Sequence, residues 1–338
     1  MRVRTKLVID TDGVTDDVRA ISIALQNESA DVIAITTCHG CVSVDQATAN
    51  VSRTLRANRK TVPIYKGAAN PIIYKTHQNT SAIFGKDGIG DKPDAIPADI
   101  PEDFTNFVPN KHAAQALIDL CRADTEITLV CLGPLTNVAL ALKLDPSFAK
   151  MPKKMVIMGG SYYAIGNIQS HPTVESNFYD DPEAAHIALA EMNCPITSVP
   201  WEAFLFECKI NEGKVDFDAH LNFDTQLSRF LKEATSIIRP RMAKKGRNYA
   251  YCDEIAVAVA IDPENVIQQS RLLRVTVELG GQLTRGQVVV DWTHQPTDND
   301  DMDDIHESMD MSKKRVCFVT AYNVKHVNDM MIDAVKKI

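Results

Sequence analysis

The sequence predicts an α/β protein: an open, mostly parallel, Rossmann-like sheet flanked by helices, one domain over residues 1–338 with additional C-terminal strands. Three observations carry that expectation. Short β-branched runs alternate with segments whose apolar residues recur at helical spacing, the rhythm of a parallel sheet with helical crossovers. No internal repeat or linker-like stretch divides the 338 residues, a length that one large α/β domain accommodates. Four aspartates follow the first apolar run, at the strand end where such sheets bind ligands.

The elements follow in order. "KLVID" (6–10) is a strand, and "DDVRAISIALQN" (16–27) repeats its apolar positions as a helix. "DVIAITT" (31–37) is the next strand, followed by a helix over 43–58 with Ser43 as its N-cap. Strands at 126–132, 154–160 and 195–200 alternate with helices opening at Pro134 and near Asp181. "YCDEIAVAVAI" places Asp253 at the head of a strongly apolar helix. Late strands at 272–279, 287–292 and 315–320 precede a final helix over 323–337. Residues 70–110 lack periodicity and are rich in Pro, Gly and Asp, as expected of a lid. "TDNDDMDD" (297–304) lacks the turn glycine and ligand spacing of an EF-hand and reads as an exposed acidic loop.

Bulk properties exclude several classes. The net charge of −8 argues against nucleic acid as the main partner, and "RPRMAKKGR" (239–247) reads as a solvated basic stretch. The eight cysteines are scattered; Cys38 and Cys41 have two residues between them, but no second pair completes a zinc site. That usage fits a reducing compartment. The first apolar stretch meets Asp10 too soon for a signal peptide, and no run approaches membrane-spanning length. A cytoplasmic protein is expected.

Five strand ends gather chemistry. "DTDGVTDD" (10–17) places Asp10, Asp12, Asp16 and Asp17 together, more negative charge than helix capping requires. After Leu132 the chain turns at Gly133 and Pro134, offering only a backbone carbonyl, which is a good ligand for a hard cation. "VIMGGSYYAIGNIQSHPTVESNFYDDPEAA" presents Asn167, Glu175 and Asn177, whose donors and acceptors suit vicinal hydroxyls or, equally, turns and caps. Asp253 heads the apolar helix, and "TTCHGC" delivers Cys41 towards the same edge.

Taken in order, these pieces resemble the inosine–uridine-preferring nucleoside hydrolases. That family opens with Asp-x-Asp-Pro-Gly-x-Asp-Asp after a strand; this chain keeps the carboxylate spacing but has Gly13, Val14 and Thr15 in the middle. "GPLTNVALAL", "VIMGG", the Asn and Glu loop, "DPEAA" and the Asp before an apolar helix continue the likeness over at least residues 6–262, and "TRGQVVVDW" extends it. The resemblance implies calcium-dependent hydrolysis of the N-glycosidic bond of ribonucleosides, in nucleoside salvage or catabolism, by a homodimer or homotetramer. Asp12, Asp17, Asp253 and the carbonyl of Leu132 would bind one Ca²⁺, and Asp12 would take the proton from the attacking water. Asp16 and Asn177 would hold the ribose hydroxyls, Asn167 and Glu175 its 5′ side, and Met158 would pack under the sugar. Asp10 would orient the loop. The chemistry agrees, because an oxocarbenium-like state needs nearby negative charge.

The chain departs from its relatives at the leaving-group side. Many place His before the calcium-binding Asp and Asn after the second-strand Gly; here stand Cys252 and Cys41, as in a subset of the family, and a lid His is replaced by Phe84. A protonated thiol can donate to the departing base, so Cys252 and Cys41 are the expected catalytic partners, with a disulfide between them as a corollary. Both could equally be small core residues. Trp201, Tyr251, Tyr162, Tyr163 and Phe178 could each stack on the base or equally serve as packing, and stacking favours purines slightly.

Two other classes compete. "DTDGV" also fits a haloacid-dehalogenase-type phosphatase, with Asp10 as nucleophile and Asp12 as acid/base. That fold needs a later Gly-Asp at a strand end, where this chain reads "MGGS". A nucleoside- or ribose-binding protein that lost its chemistry would explain the missing histidines.

Overall fold

The computed structural model describes residues 4–73, 83–92, 94–96, 106–210, 214–292 and 315–338, with no side-chain description at 207–210. The acidic stretch 297–304 and much of the expected lid lie outside these residues.

The first half of the chain forms β1 (Thr5–Thr11), α1 (Thr15–Gln26), β2 (Ala30–Thr37), α2 (Val44–Ala57), β3 (Ile64–Lys66), α3 (Ala113–Ala123), β4 (Thr128–Cys131), α4 (Thr136–Leu144) and β5 (Lys154–Met158). There follow α5 (Ser176–Asp180), α6 (Pro182–Glu191), β6 (Ile196–Val199), α7 (Trp201–Ile210), α8 (Gln226–Ala234), α9 (Ile238–Lys244) and α10 (Asp253–Ile261). The chain ends with α11 (Pro263–Val266), β7 (Ile267–Val277), β8 (Val288–Val290), β9 (Arg315–Tyr322) and α12 (Val324–Lys336).

One nine-stranded sheet has the order β3-β2-β1-β4-β5-β6-β9-β7-β8. From β3 to β9 every pairing is parallel; β7 joins β9 antiparallel, and β8 joins β7 the same way. The expected α/β class and the extra C-terminal strands are thus both present. β1 shows why its sequence is a near-continuous apolar run: Leu7 and Ile9 enter the core on one face and Val8 enters that on the other.

Strand order reverses between β1 and β4, opening a crevice beyond their carboxyl ends. α10 is buried along its whole length, as its uniformly apolar sequence requires, and packs beside α1. The N-termini of both helices therefore face the crevice. Ser43 caps α2, its Oγ accepting from the Gln46 N–H at 3.2 Å. Asp253 heads α10 as expected: Cys252 is the cap residue, and Asp253 is the first residue of the helix.

Candidate active site

At the crevice a cavity of about 460 Å³ gathers Asp12, Asp16, Asp17, Cys41, Leu132, Met158, Asn167, Asn177, Cys252 and Asp253. Ten of the eleven expected site residues thus meet in one place. The eleventh, Glu175, lies behind the wall. Its Oε1 accepts from the N–H of Asn177 at 2.8 Å, and Oε2 from the N–H of Gly160 at 3.0 Å. It caps α5 and braces the β5 loop, and these bonds hold a carboxyl whose pKa burial raises.

Asp12 leaves the end of β1 with Oδ2 accepting from the Cys41 N–H at 2.7 Å. This contact demands Gly40, because a Cβ there would stand 2.2 Å from Asp12 Oδ2. Gly13 turns the chain at φ +65° and passes against Ala47 of α2, where a Cβ would meet the Ala47 carbonyl at 2.7 Å. The substituted middle of the acidic motif thus keeps a tight turn. Asp17 receives the Thr11 hydroxyl on Oδ1 and the Val14 N–H on Oδ2 at 3.1 Å. Its capping role and its place in the acidic cluster therefore coexist.

Asp10 does not line the cavity. Its Oδ1 accepts from Thr36 and, at 2.8 Å, from Asn137 Nδ2, tying β1 to β2 and α4. It is the supporting residue expected, and Asn137 is a second that the sequence shows only as part of "GPLTN". Asn177 Nδ2 donates to the carbonyls of Leu132 at 2.8 Å and Met158 at 3.1 Å. This fixes the amide and leaves Oδ1 as its acceptor. The Leu132 carbonyl keeps a second lone pair.

The electrostatics are extreme. Burial, reinforced by neighbouring carboxylates, raises the pKa values of Asp17 and Asp253 well above the carboxylate range. Burial raises the pKa of Asp12 as well. Asp16 is pushed up to about 7 by burial, then by Glu254 and Asp12. Asp16 Oδ1 is buried with no hydrogen-bond partner among the described residues. Ligand atoms of Asp16, Cys252 and Asp253 lie within 4.8 Å of one another. Such desolvated acids and a carbonyl with one lone pair to spare fit a hard divalent cation, which takes oxygen ligands and favours the ionised carboxylates.

Both expected cysteines line the cavity and are free thiols rather than a disulfide. Burial first, then the carboxylates of Asp12 beside Cys41 and Asp253 beside Cys252, raises both thiol pKa values well above normal. They stay protonated.

The aromatic candidates divide. Trp201 lines the cavity and stacks on Phe204 at 4.5 Å between ring centroids. Tyr251 is buried elsewhere, donating its hydroxyl to Asn328 Oδ1 at 2.6 Å. Tyr162 packs against Phe318, Tyr163 stacks on Trp292, and Phe178 fills the space against Gly159 and Gly160. These four do not line the cavity, and of the two readings packing is the one they fit. Ile83 and Phe84 from the expected lid, with Phe204 and Tyr249, complete the apolar wall. The described lid piece is anchored: Gly88 accepts from Thr15 Oγ1 at 2.9 Å, and Ile83 from Arg241 Nη1 at 2.8 Å. The basic stretch 239–247 is largely solvated as expected, yet its Lys245 and Arg247 reach the cavity mouth. Sequence reasoning missed the buried pair behind the site, Arg19 Nε to Glu254 Oε1 at 2.5 Å.

Residues 7–329 match the family model described as inosine-uridine preferring nucleoside hydrolase. A probable uridine nucleosidase from Oryza sativa subsp. japonica is 37% identical over 187 residues, 54% of this chain. The match spans only 55% of that protein. The inosine-uridine preferring nucleoside hydrolase of Leishmania major is 30% identical over 297 residues, covering 86% of this chain and 88% of its own. Among solved structures, an inosine-guanosine nucleoside hydrolase superimposes with TM-score 0.84 at 28% identity over 99% of this chain and all of its own. The acidic crevice thus sits in a fold and a sequence frame shared nearly end to end, and the chain belongs to the inosine-uridine preferring nucleoside hydrolase family.

Proposed function

We propose that the protein is a calcium-dependent ribonucleoside hydrolase, releasing ribose and free base, with a lean towards purine nucleosides. One observation carries this: Asp12, Asp16, Asp17 and Asp253, from distant parts of the chain, converge with Asn177 on one cavity. Asp12, Asp17, Asp253 and the Leu132 carbonyl are the residues that would hold the cation, which when bound lowers the pKa of water.

The chain's own groups do the rest. Asp12, held through Oδ2 by the Cys41 N–H, turns its other oxygen to the water and takes its proton. Asp16 accepts from one ribose hydroxyl and the Asn177 Oδ1 from its neighbour. Asn167 holds the 5′ side directly, and Glu175 acts there through the loop it braces. Met158 packs under the sugar. The carboxylates stabilise positive charge on the ribosyl ring as the bond to the base stretches. Cys252 and Cys41, both protonated, donate to or position the departing base. Trp201 and Phe84 offer the stacking surface that favours the larger purine ring.

The family resemblance supports a homodimer or homotetramer, which light scattering tests. The scattered cysteines support a cytoplasmic setting. No helix among the described residues is long and apolar enough to cross a membrane.

Ribose release from inosine and uridine, with and without a chelator, tests the function. Release in Ca²⁺, faster for inosine, lost on chelation and restored by Ca²⁺, is the expected result. Tight nucleoside binding without release would make the protein a binder, and calcium-independent phosphate release from phosphate esters would make it a phosphatase.

A further inference from the structure

α1 and α10 point their N-termini at the same cavity, and each carries carboxylates there: Asp16 and Asp17 on one, Asp253 on the other. Like charges on converging helices repel. Immediately behind them, the same helices carry an attractive pair. Arg19 and Glu254 meet at 2.5 Å with side chains 1% and 0% exposed.

The pair grips the whole turn leading into α10. Arg19 Nη2 donates to the Ala250 carbonyl at 2.9 Å, and its guanidinium lies 4.1 Å from the centroid of Tyr249, a cavity-lining ring. The Glu254 Oε2 accepts from the Cys252 N–H at 2.8 Å. Tyr249, Ala250, Cys252 and Glu254 are thus fixed to α1, and Asp253 is held between two of them.

We propose that the Arg19–Glu254 pair is a positioning strut: it sets how far Asp253 and Cys252 stand from the Asp12 and Asp17 carboxylates, and thereby sets the affinity of this cage for a divalent cation. The inference rests on the cation-dependent function proposed above. A buried ion pair is weak evidence of net stability, since neutral replacements of similar shape are often tolerated. Its retention here is explained by what it aligns. Groups that orient metal ligands typically govern metal affinity by 10- to 100-fold.

The test is calorimetric titration of Ca²⁺ alone into the full, chelator-treated chain, with thermal melts in parallel. The double variant Arg19→Met/Glu254→Gln removes both charges at similar shape. It is expected to melt within a few degrees of the parent without metal while its Ca²⁺ Kd rises about tenfold or more. Arg19→Lys keeps the charge but loses the planar fork, and is expected to fall between the two. A double variant that binds Ca²⁺ within twofold of the parent overturns the strut. So does one that fails to fold, because the pair then holds the fold rather than the site. A parent protein that binds no Ca²⁺ overturns the calcium dependence proposed above, a distinct outcome.

Discussion

Gly40→Ala is the sharpest probe of the site, because it perturbs Asp12, the proposed catalytic carboxylate, without touching its chemistry. A Cβ at Gly40 would lie 2.2 Å from Asp12 Oδ2, 2.6 Å from its Cβ and 2.7 Å from its Cγ. Reaching ordinary contact requires Asp12 or the Gly40–Cys41 turn to move by about 1 Å, and a misplacement of about that size can cost ~10²-fold in rate. The same shift breaks the Cys41 N–H bond to Asp12 Oδ2, 2.7 Å long here. The expected result is therefore a loss of about 10²-fold in kcat/KM for ribose release, or about 2.7 kcal/mol of transition-state stabilisation. Gly280→Ala is the control: its Cβ would meet only Glu278 Oε1, at 3.4 Å. Far-UV circular dichroism and a thermal melt establish that both variants are folded. A folded Gly40→Ala protein within threefold of the parent would refute the placement of Asp12 at the reacting centre.

Other outcomes follow from the same geometry. Cys252→Ala and Cys41→Ala are expected to lower kcat on inosine while sparing a riboside whose leaving group needs no proton; near-parental turnover in both would end their proposed role. Asp10 is pushed up to about 7 from 3.8, chiefly by burial. In the metal-free protein the folded state therefore keeps a proton that the unfolded chain releases. Its contribution to stability is complete below about pH 4 and is lost as pH rises towards about 7. Asn at this position still accepts from Thr36, so Asp10→Asn is expected to fold and to show a shallower decline in urea unfolding free energy over that range. An unchanged slope would contradict the assignment.

The sequence by itself determined whatever depends on near neighbours. Alternating apolar runs fix the strands and helices because burial on both sheet faces demands a near-continuous apolar stretch, and burial on one helix face a period of 3.6. Ser43 caps α2 as its position implies, and the spacing of Asp10, Asp12, Asp16 and Asp17 is already that of a strand end entering a helix. Shorter elements such as the three-residue β3 leave no such period.

Only the tertiary structure decided which distant groups share the crevice. It brought Asp253 and Cys252 beside residues more than two hundred positions earlier and turned Tyr251 and Phe178 away. It also gave Glu175 to the backbone rather than to the cavity. Arg19 is the clearest case. In sequence it is a charged residue on a helix, indistinguishable from a solvated one; in the fold it is buried against Glu254. No local rule predicts that, because a charge is stable in the core only when its partner arrives from elsewhere in the chain.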